Sequence, residues 1–304
     1  MTDPVLIVAL LVLAHLIADF VLQNDWIALN KGRGGRTGAA ALAVHGGHVG
    51  FCLIPAVLAF GLPGLVYAVL VVGSHMAVDR WKVAATRRAV ANAQDLARQR
   101  AAAAGPGADT GRSPMGAAWT PIPGLLFLAD QVLHLTIAIV GWLVILEGTA
   151  LVPQFVDVAN TVLRDWDRSA VHATILTGVV ALSLFIVNTR GAFYFVLSLV
   201  TPRELPEGPA PAGGPAASQS TLPAGAAARV GTTIAALERM LIVALLLAGA
   251  PIVIGFVILV DTVARFRQLD DRAFAEYHLL GSLASLFVAI GSGMVAQAAL
   301  ASLG

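Results

Sequence analysis

The feature that most narrows what this chain can fold into is a set of apolar runs about as long as a bilayer is thick. Residues 4–22 form the first, and it carries His15 and Asp19 inside it. A hydrocarbon core of about 30 Å takes roughly 20 helical residues to cross. Comparable runs follow at 37–60, 65–83, 122–146, 170–187, 234–260 and 277–303. Composition agrees: 58% of the 304 residues are hydrophobic and 12% charged, against about 25% charged in soluble domains. Mean hydropathy is +0.81. The expected fold class is an all-α integral membrane protein of about seven transmembrane helices, six to eight being admissible. The formal net charge of +1 provides no bulk field for nucleic acid. The single Cys52 excludes an internal disulfide and disfavours a cysteine-based metal site. The first run lacks a basic leading segment and carries His15 and Asp19, so it reads as a permanent span rather than a cleaved signal.

The organisation expected from the sequence has four parts. Residues 1–150 form a four-span bundle, in which span three runs on into an alanine- and arginine-rich cytoplasmic helix and loop at 81–116. Residues 151–200 hold an interfacial segment and span five, after which Asn188-Thr189-Arg190 interrupts and 191–200 is too short to cross alone. Residues 201–230, rich in Pro, Ala and Gly, read as a disordered linker. Residues 231–304 form a two-span module. Lys31, Arg33, Arg36, Arg80, Lys82, Arg87, Arg88, Arg98, Arg100 and Arg112 follow spans one and three, whereas only Arg164 and Arg168 lie in the connections after spans two and four. Short positive loops stay in the cytoplasm, which puts the N-terminus outside. The expected location is a bacterial inner membrane. Seven spans would then place Arg265, Arg267 and Arg272 outside, against that rule.

Within this topology the ionisable residues of the first four spans acquire a common depth. At 1.5 Å per residue, His15 and Asp19 lie about 8–14 Å from the cytoplasmic end of span one, and His45 and His48 about 12–17 Å into span two. His75 and Asp79 lie about 6–12 Å into span three, and Asp130 and His134 about 12–18 Å into span four. Ionisable groups inside a bilayer are costly and mark function by default. Imidazole and carboxylate bind Zn²⁺, Mn²⁺ or Fe²⁺, and ligands on facing helices are how di-iron bundles are built. The expected metal ligands are therefore drawn from His15, Asp19, His45, His48, His75, Asp79, Asp130 and His134. They would hold one or two divalent ions, zinc first and Mn or Fe as alternatives. Within one helix, Asp19 is expected to orient His15, and Asp79 to orient His75.

A divalent ion would lower the pKa of bound water, with Asp19, Asp79 or Asp130 as general base and Lys82 holding an anionic substrate group. Gln23 and Asp25 sit at the cytoplasmic mouth. Glu238, Arg239, Arg265, Arg272 and Glu276 form a charged C-terminal set read as a gate or docking module, with Arg272 and Glu276 as i,i+4 partners. His172 and His278 stand apart from the layer.

At these residues the chain resembles an uncharacterised bacterial polytopic membrane-protein family, a domain of unknown function. The likeness runs through His15-x-x-x-Asp19-Phe20-x-Leu22-Gln23-x-Asp25-Trp26, then His45, His75-x-x-x-Asp79-x-x-Lys82 and Asp130-Gln131-x-x-His134. It continues at Leu237-Glu238-Arg239, Arg265-Phe266, Asp271-Arg272, Ala275-Glu276-Tyr277 and Leu280-Gly281-Ser282. It covers about residues 5–146 and 230–290. The chain departs from it at His278, in a slot often aromatic, and in its long linker. The resemblance implies a polytopic membrane protein and no particular activity. A weaker likeness, of style only, is to membrane-bound metal-dependent hydrolases.

Three functions follow as expectations. The first is an intramembrane metal-dependent hydrolase acting on a lipid-linked or membrane-proximal substrate. The second is a metal-ion or proton-coupled transporter, disfavoured by the apolar outer halves of spans one to four. The third is a non-catalytic anchor or regulator of a cytoplasmic partner. The partners expected are the lipid bilayer and no nucleic acid, with a homo-oligomer left open.

Overall fold

The computed structural model describes residues 3–33, 35–104, 116–201 and 224–303, and among these all regular structure is helical. Helix α1 (Pro4–Leu16) begins with Asp3 as N-cap and Pro4 at the first position, and it widens into a π-helical turn at Ile17–Val21. A short α2 (Asp25–Asn30), capped by Asn24, leads to α3 (Gly35–Cys52) and α4 (Ile54–Phe60). The last two meet at a 45° bend, so the expected straight second span is broken. Pro55 is the reason: it lacks an N–H and its ring crowds the carbonyl four residues back. Gly61, at φ 61°, makes the reversal into α5 (Leu62–Ala104), which runs 43 residues without interruption. Helices α6 (Ile122–Ile145), α7 (Pro153–Val162) and α8 (Arg168–Ile186) follow.

Two expectations about the second half are corrected. Asn188-Thr189-Arg190 does not interrupt the helix. A second π turn, Val187–Gly191, carries α8 directly into α9 (Ala192–Val200), so residues 168–200 are one helical stretch of 33 residues. Residues 234–260 are not one span. Helix α10 (Ala224–Leu247) stops at Gly249, whose φ of 71° suits the residue that ends a helix, and Pro251 starts α11 (Pro251–Ala264). A last helix, α12, spans Arg272–Leu300. Of the expected linker, 202–223 lies outside the described residues and 224–230 belongs to α10. The loop expected after 104 lies outside them at 105–115.

Six helices are long and apolar enough to cross a membrane, or up to seven if the bent pair α3–α4 counts as one span. The chain falls into two compact units that do not follow sequence order. One comprises Met1–Ala84, Phe127–Gly191 and Met294–Gly304; the other comprises Ala85–Leu126 and Ala192–Gly293. Span five thus belongs with the first four.

The first unit is layered. At one level Ile7, Val8 and Leu11 of α1, Val49 of α3, Leu53 at the bend, Tyr67 and Val71 of α5, and Trp142 and Leu146 of α6 form an apolar core. Tyr67 donates its hydroxyl to the Ala138 carbonyl at 3.0 Å. Moving from that core along each helix leads to the same place: 15–19 on α1, 45 on α3, 75–79 on α5 and 130–134 on α6. There the buried residues are His45, His75, His134, Asp19, Asp79 and Asp130, the two last aspartates at 1% and 0% exposure. The outer surface is the inverse, with Val144 77%, Leu62 73% and Val295 70% exposed. A polar interior inside an apolar exterior is the arrangement that suits lipid as solvent.

In the second unit, Trp119 donates to the Leu199 carbonyl at 2.9 Å. Arg239 is buried on α10 and donates to the Ser285 hydroxyl of α12 at 2.7 Å.

Candidate metal centre

Local sequence explains how the polar residues reach one point. His75 and Asp79 are four apart on unbroken α5, as are Asp130 and His134 on α6, so each pair shares a face. On α3, Gly46 follows His45, and a Cβ there would lie 2.8 Å from Met76 Sδ. The missing side chain lets α3 and α5 approach closely enough for His45 Nε2 and His75 Nε2 to share a hydrogen bond at 3.0 Å. On α1 the π turn encloses Asp19, with the Leu22 N–H reaching back to the Ile17 carbonyl at 2.9 Å. Such turns often accompany functional sites because they re-aim a side chain without ending the helix.

The result differs from the expected pairing within each helix. His15 Nε2 is 3.8 Å from Asp19 and 3.0 Å from Gln131 Oε1. Asp19 Oδ1 turns toward two other helices, 3.2 Å from His75 Nε2 and 3.5 Å from His45 Nε2. The imidazole beside Asp79 is that of His45, at 3.3 Å, rather than that of His75. Carboxylate and imidazole are matched across helices, which holds α1, α3 and α5 together as well as orienting the rings.

Around this triangle lies a frame. Gln131 donates to Asp130 Oδ2 at 3.0 Å and to Asp19 Oδ2 at 3.5 Å. His134 donates through Nε2 to the His75 carbonyl at 3.2 Å, leaving Nδ1 at 3.8 Å from Asp130 Oδ1. Lys31, at the end of α2, donates to both oxygens of Asp79 at 3.0 and 3.2 Å and to Gln23 Oε1 at 2.7 Å. Lys82 donates to Asp130 at 2.6 Å and stands 3.4 Å from Asp79.

Three donor sets come close enough to hold an ion: Asp19, His45 and His75; His15, His75 and His134; and Asp19, Asp130 and His134. The first is the best formed. Its edges of 3.0, 3.2 and 3.5 Å bracket the roughly 3.3 Å that follows from bonds of about 2.0–2.2 Å at a tetrahedral angle. The second is the weakest, because the His75 and His134 rings stack at 3.8 Å and 16°. An imidazole lone pair lies in its ring plane, and two nearly parallel planes give no common point for one ion. The third shares Asp19 with the first. Among the described residues, Asp19 Oδ1, His45 Nδ1, Asp130 Oδ1 and His134 Nδ1 are buried without a hydrogen-bond partner. Buried polar atoms are ordinarily satisfied, so the orphaned Asp19 Oδ1, Asp130 Oδ1 and His134 Nδ1 fit a cation. His45 Nδ1, by contrast, is not the nitrogen in the triangle, and His48 Nδ1 and Ser183 Oγ are orphaned outside the donor sets.

Other expected residues lie elsewhere. His48 is half-buried and joins none of the donor sets. Asp25 is exposed in the first turn of α2. Glu238, Arg239, Arg265, Arg272 and Glu276 all belong to the second unit. There Arg265 pairs with Asp261, His278 stands 3.5 Å from the same aspartate, and Arg272 pairs with Glu276 at 2.9 Å as its i,i+4 spacing predicts. His172 bonds Asp3 at 2.8 Å. Sequence reasoning missed Lys31, which looks like any other basic loop residue. It also passed over Gln131, whose position between Asp130 and His134 was the available signal.

No curated protein and no solved structure matches the chain. A family model matches residues 7–163, slightly more than half of the chain and including the whole polar layer, whereas the C-terminal motifs lie outside it. The chain belongs to the family described as protein of unknown function, DUF3307.

Proposed function

We propose that this protein is a polytopic membrane protein with a divalent-metal centre in its cytoplasmic half, and that the centre is hydrolytic. The observation that carries the reading is the buried triangle of Asp19 Oδ1, His45 Nε2 and His75 Nε2 with edges near a tetrahedral metal's. Three protein ligands with a position left over is the pattern of catalytic rather than structural zinc. Asp19, Asp130 and His134 would take a second ion, with Asp19 common to both sets. The apolar exterior supports insertion in a bilayer, and the basic residues after α1 and along α5 support a cytoplasmic opening on the Lys31 side.

Held by Asp19, His45 and His75, a divalent ion would supply a hydroxide near neutral pH and would polarise a carbonyl or phosphoryl oxygen. The chain's own residues divide the remaining work. Asp79 is held by Lys31 and faced by Lys82, and acts as a fixed counter-charge once His45 Nε2 turns its lone pair to an ion. Asp130 has Oδ2 engaged by Lys82 and Gln131 but Oδ1 without a partner, which suits it to accept a proton from a water beside the triangle. Gln131, bonded to His15, Asp19 and Asp130, keeps these three in register. The substrate class that suits the position is lipid-linked or membrane-proximal.

Elemental analysis of the detergent-purified protein tests this directly. The expected content is about one divalent ion per chain, or about two if both sets fill, falling sharply in His75→Ala. Protein that carries no metal and rebinds none at micromolar concentration would sink the reading. Metal uptake into proteoliposomes, lost in His75→Ala, would replace the hydrolase by a transporter.

A further inference from the structure

We infer that the group this centre acts on is a phosphate-class oxyanion received by Lys31 and Lys82, an inference that rests on the metal reading above. The two ammonium groups come from different helices and meet at one carboxylate, Lys31 at 3.0 and 3.2 Å and Lys82 at 3.4 Å from Asp79. Among the charged and imidazole side chains of the site, Lys82 is the most exposed at 18%, with Lys31 at 9% and His15 at 7%, whereas those of His45, Asp79 and Asp130 are at 1% or less. A group entering beside Lys82 therefore meets its ammonium before it meets Asp79, Asp130 or His45.

Charge selects the class of that group. With the carboxylates of Asp19, Asp79 and Asp130 ionised and the histidines neutral, two lysines against three aspartates leave the cluster one negative charge in excess. One divalent ion with the hydroxide it would supply brings the cluster to neutrality, and a second ion leaves two positive charges in excess. Uncompensated charge away from water is strongly unfavourable. A neutral ester or amide would leave the excess in place, and a cationic group would increase it. An anion removes it. The donors suit a phosphoryl group in particular: lysine is a point-charge phosphate binder, and Lys82, with three N–H groups, makes among the described residues one hydrogen bond, to Asp130, with Asp79 at 3.4 Å, which leaves a donor to spare. Lys31 needs only to exchange the neutral acceptor Gln23 Oε1 for a phosphate oxygen, keeping Asp79. The competing role is that of counter-ions only, holding Asp79 and Asp130 in place.

The test uses full-length protein loaded with Co²⁺, whose visible spectrum reports its ligands. Inorganic phosphate, glycerol 3-phosphate and a short-chain phosphatidate are each titrated, with choline as the cationic control. The expected result is a saturable spectral change with the phosphates and none with choline. Lys31→Gln should weaken phosphate by at least about tenfold, the loss of a charge-assisted hydrogen bond, with Co²⁺ stoichiometry retained; Lys31→Arg should recover most of it. Lys82→Gln provides an independent second variant, its amide still able to donate to Asp130. Phosphatidate binding tighter than glycerol 3-phosphate by about tenfold or more identifies a lipid headgroup, and equal binding a soluble ester; both support the inference. Protein that binds Co²⁺ but responds to no phosphate, or responds equally in both lysine variants, overturns it while leaving the metal centre standing. Protein that binds no Co²⁺ overturns the centre and this inference together.

Discussion

The polar layer of the first unit and the charged set of the second handle the same difficulty, charge in an apolar chain, in opposite ways. In the layer, each carboxylate faces groups on other helices: Asp19 those of α3, α5 and α6, Asp79 those of α2 and α3, and Asp130 that of α5. In the C-terminal set, Arg272–Glu276 and Arg265–Asp261 are both i,i+4 pairs within or just beyond one helix, and Arg272 is 91% exposed, while Arg239 is the buried exception, bonded across to Ser285 of α12. Local pairing at the surface neutralises a helix end and asks nothing of the fold. Pairing across buried helices makes the fold depend on the charges, and it leaves donor atoms converging on a point. Only the second arrangement builds a site.

The largest test of this contrast is to remove one partner from each arrangement. Lys82→Met leaves Asp130, fully buried, without its 2.6 Å cation; breaking a buried pair costs about 3–5 kcal/mol. Arg272→Gln should cost less than about 0.5 kcal/mol. Unfolding of both in the same detergent measures the difference. The double variant Lys82→Met/Asp130→Asn should recover most of the loss, because the stranded charge is gone. Equal effects in the two units would break the comparison.

Next in size is metal protection. Saturating Zn²⁺ at about 100 times its Kd stabilises by about 2.7 kcal/mol. The shift should be absent in His75→Ala and intact in His278→Ala, whose imidazole pairs with Asp261 in the other unit. A shift lost in both would mean that the two sets are one site.

A finer test concerns the approach of α3 to α5. Gly46→Ala puts a Cβ 2.8 Å from Met76 Sδ, whereas a Cβ at Gly47 meets nothing within 4 Å. Overpacking costs about 1–3 kcal/mol, and the flexible Met76 side chain can swing aside, so Gly46→Ala should lose stability only at the low end of that range, with metal binding weakened if His45 moves from His75. Gly47→Ala should gain about 0.5–1 kcal/mol from helix propensity alone. If the two behave alike, closeness of the helices is not what holds the imidazoles together.

What was legible in advance, and what was not, follows from how far each signal reaches along the chain. The i,i+4 spacing of His75 with Asp79 and of Asp130 with His134 is local, so it reads directly as one helix face. Which imidazole each aspartate meets is decided between helices, and there the local reading failed: Asp19 and Asp79 both look past the histidine on their own helix. The π turns at Ile17–Val21 and Val187–Gly191 leave little trace in composition, since they add one residue to a turn without a Gly or Pro signature at their start. Pro55 and the Gly249-x-Pro251 pair did carry that signature, and apolar length outweighed it in the reading of spans two and six. Lys31 was invisible because a basic residue after a first span has a sufficient topological explanation.

The smallest test examines an intermediate case. Asp3 and His172 pair between α1 and α8 as the layer's residues do, but at the exposed end of the bundle, with about 30% of each side chain accessible. Asp3 is also the N-cap of α1, accepting the Val5 N–H at 2.9 Å. That N–H first, and His172 after it, hold the Asp3 carboxyl below its usual value near 3.8. A carboxyl with a depressed pKa stabilises the fold above its unfolded pKa and loses that contribution as pH falls through the folded one. Asp3→Ala should therefore cost about 1 kcal/mol near neutrality, and the gap to wild type should narrow, by the part that depends on the carboxylate's charge, as pH falls below about 4. Asp3→Asn, which keeps the cap but not the charge, should recover most of the loss. If it recovers none, the inter-helix ion pair outweighs the cap, and pairing across helices stabilises this bundle even where it is wet.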